Sequence, residues 1–255
     1  MMRFASLGSG SQGNALVVEV KRTRVMLDCG FCINETITRL SRLGLAPEQL
    51  DGIVVTHEHA DHCGGVAKFA RKFNLPVWLT FGTASEFQGE FAALEANYID
   101  SHQFFSIGDV TLQPYPVPHD ARDPAQFVFG DGARRLGVLT DTGSSTPHIE
   151  AVLSGCDALV LECNHDLEML MKGSYPLPLK QRIAGRFGHL SNDASARLLA
   201  SLDGSRLQHL IAAHLSRNNN TPELARTALS EVMNCKPDWI GVADQQEGFA
   251  WREIV

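Results

Sequence analysis

The chain has 255 residues, of which 44% are hydrophobic and 20% are charged, and its formal net charge is −7. This composition is ordinary for a globular protein and excludes a largely disordered chain. The negative charge argues against nucleic-acid binding through a uniformly basic surface, although a locally basic cleft or bound metal ions can still receive a polyanion.

Neither a signal peptide nor a membrane span is indicated, because no apolar run is long enough for either. We therefore predict a cytosolic protein. The six cysteines do not form a disulfide framework, although Cys29 and Cys32 have a CxxC spacing. We expect ordinary reduced thiols, and a redox pair or half of a zinc site is the alternative.

In the first part of the chain, strands are predicted to alternate with helices. Strands are expected at residues 4–7, 15–20, 24–29, 51–56 and 76–80, and helices at residues 34–43, 64–73 and 84–94. Asn34 is available as an N-cap and Gly44 as a stop signal for the first helix.

The second part repeats this order, beginning with paired strands. Strands are expected at residues 110–117, 126–130, 136–140, 158–162, 207–213, 239–242 and 249–254, and helices at residues 179–186, 193–202 and 222–233. Asp131 and Gly132 mark a hairpin, and Ser191 or Asn192 is the natural cap of the second helix. We predict an α/β protein in which two facing sheets lie between helices, a four-layer αββα sandwich forming one domain over residues 1–255.

The segment Thr56 to His62, with the sequence THEHADH, contains three histidines and two acidic residues directly after an apolar strand. Side chains that alternate along an extended segment point to the same side, so His57 and His59 can bind one metal ion. Asp61 and His62 lie just beyond them and can face a second ion. A lone histidine is more often a core or surface residue, but this grouping favours metal binding.

The remaining ligands are expected at the ends of later strands, where a rigid scaffold presents functional groups. His119, Asp141 and His214 each follow a predicted strand, and the carboxylate of Asp141 can bridge two ions. The first ion is assigned to His57, His59, His119 and Asp141. The second is assigned to Asp61, His62, Asp141 and His214.

An HxHxDH motif followed by His, Asp and His in this order resembles the metallo-β-lactamase superfamily over the whole chain. The segments around Ser9, Glu162, Gly188 and His214 together resemble the YycJ (WalJ) type of this superfamily. That resemblance implies a dinuclear, metal-dependent phosphodiesterase, most closely a DNA exonuclease, with zinc or manganese and with iron also possible. It also implies that Asp28 orients ligands without binding metal. The chain departs from the type at Arg217 or Asn218, where an acidic residue is usual.

The expected chemistry is attack by a hydroxide derived from water between the two ions, with Asp61 orienting or deprotonating that water. His189 is the candidate acid for the leaving oxygen, because it precedes a helix whose N-terminus favours phosphate. A helix-capping neighbourhood without chemistry is the alternative. The predicted donors to phosphate oxygens are Ser9, Ser11, Asn14, Asn164, Ser191 and Asn192.

Other functions stay open at this point. A thioester or lactone hydrolase, or a hydrolase of small cyclic phosphates, needs the same ligands, and a non-catalytic metal-bound interaction module is possible in principle. A β-lactamase is disfavoured by the dinuclear ligand pattern. The sequence does not choose between DNA, RNA and a small cyclic phosphate, whereas the resemblance favours nucleic acid and implies DNA as the substrate. A locally basic cleft agrees with this, and the basic residues near the candidate acid are Lys172, Lys180, Arg182 and Arg186.

Overall fold

Two mixed β-sheets form the centre of the molecule. The computed structural model describes residues 1–87 and 94–255. In these residues the first sheet comprises β1 (Met2–Gly8), β2 (Ala15–Val20), β3 (Thr23–Leu27), β4 (Gly52–Val54), β5 (Val77–Thr80), β6 (Ala96–Ile99) and β14 (Phe249–Ile254). Its strand order is β14-β1-β2-β3-β4-β5-β6.

The second sheet has the same design. It comprises β7 (Phe105–Ile107), β8 (Val110–Pro116), β9 (Ala125–Gly130), β10 (Arg135–Leu139), β11 (Ala158–Glu162), β12 (His209–Ala213) and β13 (Gly241–Val242), in the order β13-β12-β11-β10-β9-β8-β7. In each sheet an antiparallel group of strands is followed by a parallel group, β3 to β6 in the first and β10 to β13 in the second. Residues that follow parallel strands meet at one edge of a sheet, which is where ligand sites form in α/β folds.

Helices cover both outer faces. They are α1 (Ile33–Arg42), α2 (Ala60–Cys63), α3 (Val66–Phe73), α4 (Phe81–Glu86), α5 (Pro147–Leu153), α6 (Leu167–Lys172), α7 (Leu177–Ile183), α8 (Asn192–Ser201) and α9 (Pro222–Met233), with 3₁₀ turns at Pro47–Gln49 and Pro237–Trp239. Within the described ranges, no helix combines the length and the apolar character needed to cross a bilayer.

Three apolar clusters hold the layers together. The central cluster joins the inner faces of the sheets, for example Phe4 and Val18 with Phe127 and Phe129. A second cluster packs α1 and α3 on the outer face of the first sheet, and a third packs α5, α8 and α9 on the second. The alternation of side chains along each strand divides them between these clusters. The prediction of an α/β four-layer sandwich is confirmed, and the extent of one domain over residues 1–255 stays a prediction.

Most predicted elements agree with the structure, and the differences are local. The helix at Pro222–Met233 and the strand at Phe249–Ile254 have the predicted bounds. The predicted helix at 179–186 begins and ends earlier, at Leu177–Ile183, because Pro178 starts its first turn. Asn34 is not the N-cap of α1, which begins at Ile33 after Cys32. The predicted helix at 84–94 lies partly outside the described residues, and α4 covers Phe81–Glu86.

Turn chemistry explains the boundaries that were predicted correctly. Gly44 follows α1 with a φ of +72°, which favours glycine, and Gly132 turns the β9–β10 hairpin with a φ of +92°. Ser191 caps α8 by accepting a hydrogen bond from the amide of Ala194. All six cysteines lie within the described residues, and none of them forms a disulfide there.

Candidate metal centre

The ends of three strands turn ligand-type side chains toward one point. Asp28 directly follows β3, Asp141 lies two residues after β10, and His214 directly follows β12. All three have a left-handed backbone, with φ values of +61°, +50° and +56°. Residues other than glycine adopt this backbone conformation at a cost of roughly 1–2 kcal/mol. Its occurrence at three strand ends on one sheet edge indicates a functional constraint.

The first group of candidate ligands consists of His57, His59 and His119, whose ligand atoms lie within 4.8 Å of one another. The imidazole Nδ1 of His119 donates to the carbonyl of Gly188 at 3.1 Å, which leaves Nε2 with its lone pair. That Nε2 lies 3.3 Å from Nδ1 of His59. The group therefore presents ring nitrogens to a common point, as a tetrahedral or five-coordinate cation requires.

The second group consists of Asp61, His62 and His214. Oδ2 of Asp61 lies 3.4 Å from Nε2 of His214 and 3.6 Å from Nε2 of His62. His62 and His214 are buried, whereas Asp61 is partly exposed. A short helix, α2, carries both Asp61 and His62 and thereby fixes their separation.

Asp141 connects the two groups. Its Oδ2 lies 2.9 Å from Nε2 of His62, and its Oδ1 lies 3.5 Å from Nε2 of His214. It also forms a possible ligand set with His57 and His62. The structure thus brings together all seven residues that the sequence suggested as ligands, with the one carboxylate that was expected to bridge lying between the groups.

Two buried polar atoms in this cluster test whether a cation fits. Nε2 of His57 and Oδ2 of Asp141 are both shielded from solvent. Within the part of the chain that the structure describes, Nε2 of His57 has no hydrogen-bond partner, and Oδ2 of Asp141 makes no hydrogen bond of normal geometry although Nε2 of His62 lies 2.9 Å away. Buried polar atoms are nearly always paired. An imidazole lone pair and a carboxylate oxygen are donors to divalent cations, so these two atoms and their neighbours fit a metal.

Asp28 lies behind the ligands, as the resemblance implied. Its Oδ2 accepts a hydrogen bond from Nδ1 of His62 at 2.7 Å, and its Oδ1 accepts one from the amide of Thr56 at 2.8 Å. The hydroxyl of Thr56 lies 2.9 Å from Nδ1 of His57. A carboxylate that holds Nδ1–H of an imidazole directs the lone pair of Nε2 outward.

Glu162 is a member of this cluster to which sequence reasoning assigned no role. It ends β11, is fully buried, and its Oε1 accepts a hydrogen bond from Nδ1 of His189 at 2.7 Å. The same oxygen lies 3.6 Å from Nδ1 of His214. An acidic residue at the end of a wholly apolar strand was the available signal, since a buried carboxylate needs a partner.

His189 is placed at the cavity and stacks on His214, with ring centroids 5.3 Å apart. Its Nδ1 is held by Glu162, which leaves Nε2 as the ring nitrogen available to a ligand. Its backbone amide is also fixed, because it donates to the carbonyl of Ile183 at 2.8 Å. The candidate acid is thus oriented from two directions.

The six predicted phosphate donors are divided between the cavity and the interior. Ser11 lines the cavity. The hydroxyl of Ser9 accepts from the amide of His214 at 2.9 Å, and the amide of Asn14 lies 3.0 Å from Nε2 of His62. Ser9 and Asn14 are buried, and Asn14 also bonds to the backbone of Gly10, so both hold the glycine-rich loop against the candidate ligands.

The other three predicted donors also make internal contacts. Asn164 donates to the carbonyl of His214 at 3.0 Å, and Ser191 caps α8. The amide groups of Asn192 and Asn220 bond to each other in both directions at 2.9 Å. For all three, contact with a phosphate stays a prediction, whereas their recorded hydrogen bonds stabilise the loops that carry the site.

Buried histidines and carboxylates lie side by side in this cluster, and each changes the pKa values of its neighbours. Burial lowers the pKa of His57 well below its usual range, and the positive charge of His62 lowers it further. Burial opposes charge on His214 as well, but the carboxylate of Asp141 and its neighbours raise that pKa to about 10. Burial would raise the pKa of Glu162, yet His189 brings it to about 2. The buried carboxylates therefore require positive charge beside them.

A cavity of about 360 Å³ opens above the cluster. Its lining includes Asp61, Asp141, His189 and His214 from the cluster, and Arg182 from α7. The candidate ligands are mostly buried while the cavity is open to solvent, so a substrate can approach the ligands from one side.

Similarity to known proteins shows the family to which the chain belongs. A family model described as the beta-lactamase superfamily domain matches residues 23–214. The chain belongs to the metallo-β-lactamase superfamily, which confirms the resemblance seen in the sequence.

Within that superfamily, the chain is similar to proteins of the YycJ and WalJ type. It is 34% identical to exodeoxyribonuclease YycJ of Bacillus anthracis, over 95% of this chain and 93% of that protein. It is 32% identical to exodeoxyribonuclease WalJ of Streptococcus pneumoniae, over 89% of this chain and 86% of that protein. The fold also matches the crystal structure of the metallo-β-lactamase fold protein YhfI from Bacillus subtilis, with a TM-score of 0.75 and 17% identity over 99% of this chain and all of that one.

Proposed function

We propose that the chain is a two-metal phosphodiesterase that removes nucleotides from DNA ends. The observation that carries the proposal is the position of Asp141 beside both ligand groups, within reach of His57 and 2.9 Å from Nε2 of His62, together with a buried Nε2 of His57 that has no hydrogen-bond partner in the described residues. The similarity to exodeoxyribonucleases over nearly the whole chain supports DNA as the substrate. A cytosolic location stays a prediction.

The proposed ligand sets are those expected from the sequence. One ion would be held by His57, His59, His119 and Asp141, and the other by Asp61, His62, Asp141 and His214. The structure supports these sets by grouping His57 with His59 and His119, and Asp61 with His62 and His214. Zinc or manganese suits these imidazole and carboxylate donors, and iron is compatible with them. Divalent ions held in these positions supply acidity to a bound water and neutralise charge on a phosphate.

The protein groups at the cavity then act on the proton and the substrate. Asp61 is the most exposed of the proposed carboxylate ligands and orients the attacking water. His189 faces the cavity with Nδ1 bonded to Glu162, so its Nε2 is available to donate a proton to the leaving oxygen. Glu162 keeps that ring in one tautomer and orientation, as a carboxylate does for a catalytic imidazole.

A panel of substrates tests the proposed class. Chelated protein reloaded with manganese or zinc is assayed on DNA ends, RNA ends, a cyclic phosphodiester and a thioester in parallel. We expect hydrolysis of DNA ends to exceed the others and to disappear on chelation. Preferential thioester hydrolysis, or equal activity after chelation, would contradict the proposal.

The role of His189 has a separate test. His189→Ala should lower kcat on DNA by roughly 10²–10⁴-fold, the usual contribution of a general acid, while the metal content is retained. His148→Ala is the matched control, because His148 is exposed on α5 and does not line the cavity. Undiminished kcat in metal-loaded His189→Ala would remove the assignment.

A further inference from the structure

Arg182 on α7 stands at the mouth of the cavity. Its Nε donates to Oδ2 of Asp120 at 2.6 Å, and the side chain is 63% exposed. Its two terminal amino groups have no recorded partner among residues 1–87 and 94–255. Arg182 therefore presents the four N–H donors of its two amino groups at the cavity, while its fifth donor, Nε–H, bonds to the carboxylate of Asp120.

The main chain around Arg182 is tied to the catalytic region. The amide of His189 donates to the carbonyl of Ile183 at 2.8 Å, and the amide of Asp120 donates to the carbonyl of Phe187 at 3.0 Å. Gly188 packs so closely that an added Cβ would lie 2.1 Å from the carbonyl of Arg182. The end of α7 is thereby held at a set distance from the candidate acid, which is the condition for a precise binding residue.

Acidic side chains outnumber lysine and arginine in the lining of the cavity. Of the described residues that line it, Arg182 is the only lysine or arginine, whereas Asp61, Asp120 and Asp141 are all acidic. The other three basic residues that the sequence placed near the site do not line the cavity, and Arg186 lies over the ring of Phe187. Lys172 pairs with Glu168, and Lys180 donates to the carbonyl of Met171 at 2.7 Å.

Depth separates Arg182 from the ligands. The side chains of His62 and Asp141 are 1% and 2% exposed, whereas Arg182 is 63% exposed. The carboxylate of Asp120 lies between them, with Oδ2 at 2.6 Å from Nε of Arg182 and Oδ1 at 3.5 Å from Nε2 of His119. A phosphate bound by the outward amino groups of Arg182 can therefore be a different group of the substrate from one bound at the buried cluster. A guanidinium binds a phosphate through two parallel hydrogen bonds, which suits the free amino groups of Arg182.

We propose that Arg182 binds a phosphate next to the one that is cleaved, and that Asp120 holds the guanidinium in place until the phosphate arrives. This inference rests on the proposed function. It makes Arg182 and Asp120 the pair that favours a polynucleotide over a substrate with a single phosphate. Binding adds a second anion to Arg182 and weakens its contact with Asp120, whose carboxylate repels the incoming strand.

The test compares two substrates in the metal-loaded protein, a single-stranded oligodeoxynucleotide and bis(p-nitrophenyl) phosphate. Arg182→Ala should raise KM for the oligonucleotide about tenfold, because one exposed charge-assisted hydrogen bond to the substrate is lost. The kcat should change by less than about threefold. The KM for bis(p-nitrophenyl) phosphate, which has one phosphate, should stay within about twofold. Arg182→Lys should recover part of the loss, since it keeps the charge without the fork.

A binding measurement gives a second readout that a purely structural role would not move. The dissociation constant of a fluorescent phosphorothioate oligodeoxynucleotide is measured by anisotropy at several salt concentrations. The slope of log K against log salt should be smaller by about 0.7 in Arg182→Ala, the value for one phosphate contact on a single strand. An unchanged slope would overturn the proposal.

Two further variants test the ion pair between Asp120 and Arg182: Asp120→Asn, and a control in a matched ion pair elsewhere. Asp120→Asn should lower the oligonucleotide KM about threefold, because it releases Arg182 and removes a repelling charge. Its metal content is measured, since Oδ1 of Asp120 lies 3.5 Å from Nε2 of His119. Lys21→Ala is the control, because Lys21 and Asp109 form a pair of similar exposure, 68% and 39%, outside the cavity.

The outcomes separate the two proposals. If the wild-type protein hydrolyses neither substrate with any metal, the proposed function fails. If it hydrolyses both, and Arg182→Ala raises the two KM values equally or changes neither, the role of Arg182 is wrong. If Arg182→Ala and Asp120→Asn both raise or both lower KM for the oligonucleotide, the role of Arg182 is also wrong, because the ion pair would then serve only the structure.

Discussion

Replacing Asp28 with asparagine isolates the contribution of a group that does not itself touch a metal. Asp28 is 3% exposed, and its two oxygens accept from Nδ1 of His62 at 2.7 Å and from the amide of Thr56 at 2.8 Å. Asparagine has nearly the same shape and tolerates the φ of +61° at this position. The backbone should therefore stay in place while the charge and one acceptor are lost.

The magnitude follows from the hydrogen bonds that the amide cannot make. If its oxygen stays with Thr56, its NH₂ faces Nδ1 of His62. That ring must then carry its proton on Nε2, and it loses the lone pair that is proposed to bind metal. If the amide rotates, two donors oppose each other at Thr56, which costs about 1–3 kcal/mol. Either arrangement should weaken metal binding by about 10–100-fold, the usual effect of removing a carboxylate behind a ligand histidine.

Metal affinity is measured by competition with a chromophoric chelator, using zinc and manganese separately. Asp157→Asn is the control, because Asp157 is also buried, at 2% exposure, but it pairs with Arg206 away from the cluster. The control should lose stability without losing metal affinity. Wild-type metal affinity in Asp28→Asn would refute the reasoning about the tautomer of His62.

Three further changes have distinct expected results. Glu162→Gln should lower kcat on DNA by roughly 10–100-fold, because His189 loses the carboxylate that orients it at 2.7 Å, and steady-state assays check this. Gly30→Ala should lower the unfolding midpoint in urea and release metal, since its Cβ would lie 1.8 Å from the carbonyl oxygen of Asp61; overpacking of this kind costs at least about 1–3 kcal/mol. Burial alone would raise the pKa of Glu19, but Arg3 and Arg24 lower this pKa below its usual range. The ionised Glu19 therefore stabilises the fold at pH values above its unfolded pKa of about 4.3, and this stabilisation is lost as the pH falls through the folded pKa. The free energy of unfolding, measured with urea at a series of pH values, should therefore fall less steeply at acid pH in Glu19→Gln than in the wild type. An unchanged dependence on pH would show that the arginines contribute nothing there.

The positions of the candidate ligands could be predicted because they depend on local pattern and chain order. Each follows an apolar strand or lies in the segment from His57 to His62, and parallel strands bring their ends to one edge. The hairpin at Gly132 and the cap at Ser191 were predictable for the same reason, since turn chemistry is local.

The partners of these groups could not be predicted, because they come from distant parts of the chain. Glu162 and His189 are 27 residues apart, and Arg182 and Asp120 are 62 residues apart. Asn192 was expected to donate to a substrate, yet its amide bonds to Asn220, a pairing visible only once the loops are packed. Short helices such as α2 and α6 were missed because one or two turns carry too little periodicity to be distinguished from a loop.

The central claim is that two ions, bridged by Asp141, are needed to hydrolyse phosphodiester bonds in DNA. Its most direct test is a titration of chelated protein with manganese or zinc, in which bound metal and hydrolysis of a DNA end are measured on the same samples. Activity should rise mainly between one and two equivalents of bound metal, and Asp141→Asn should be inactive. Full activity with a single equivalent, or in the presence of chelator, would contradict the claim.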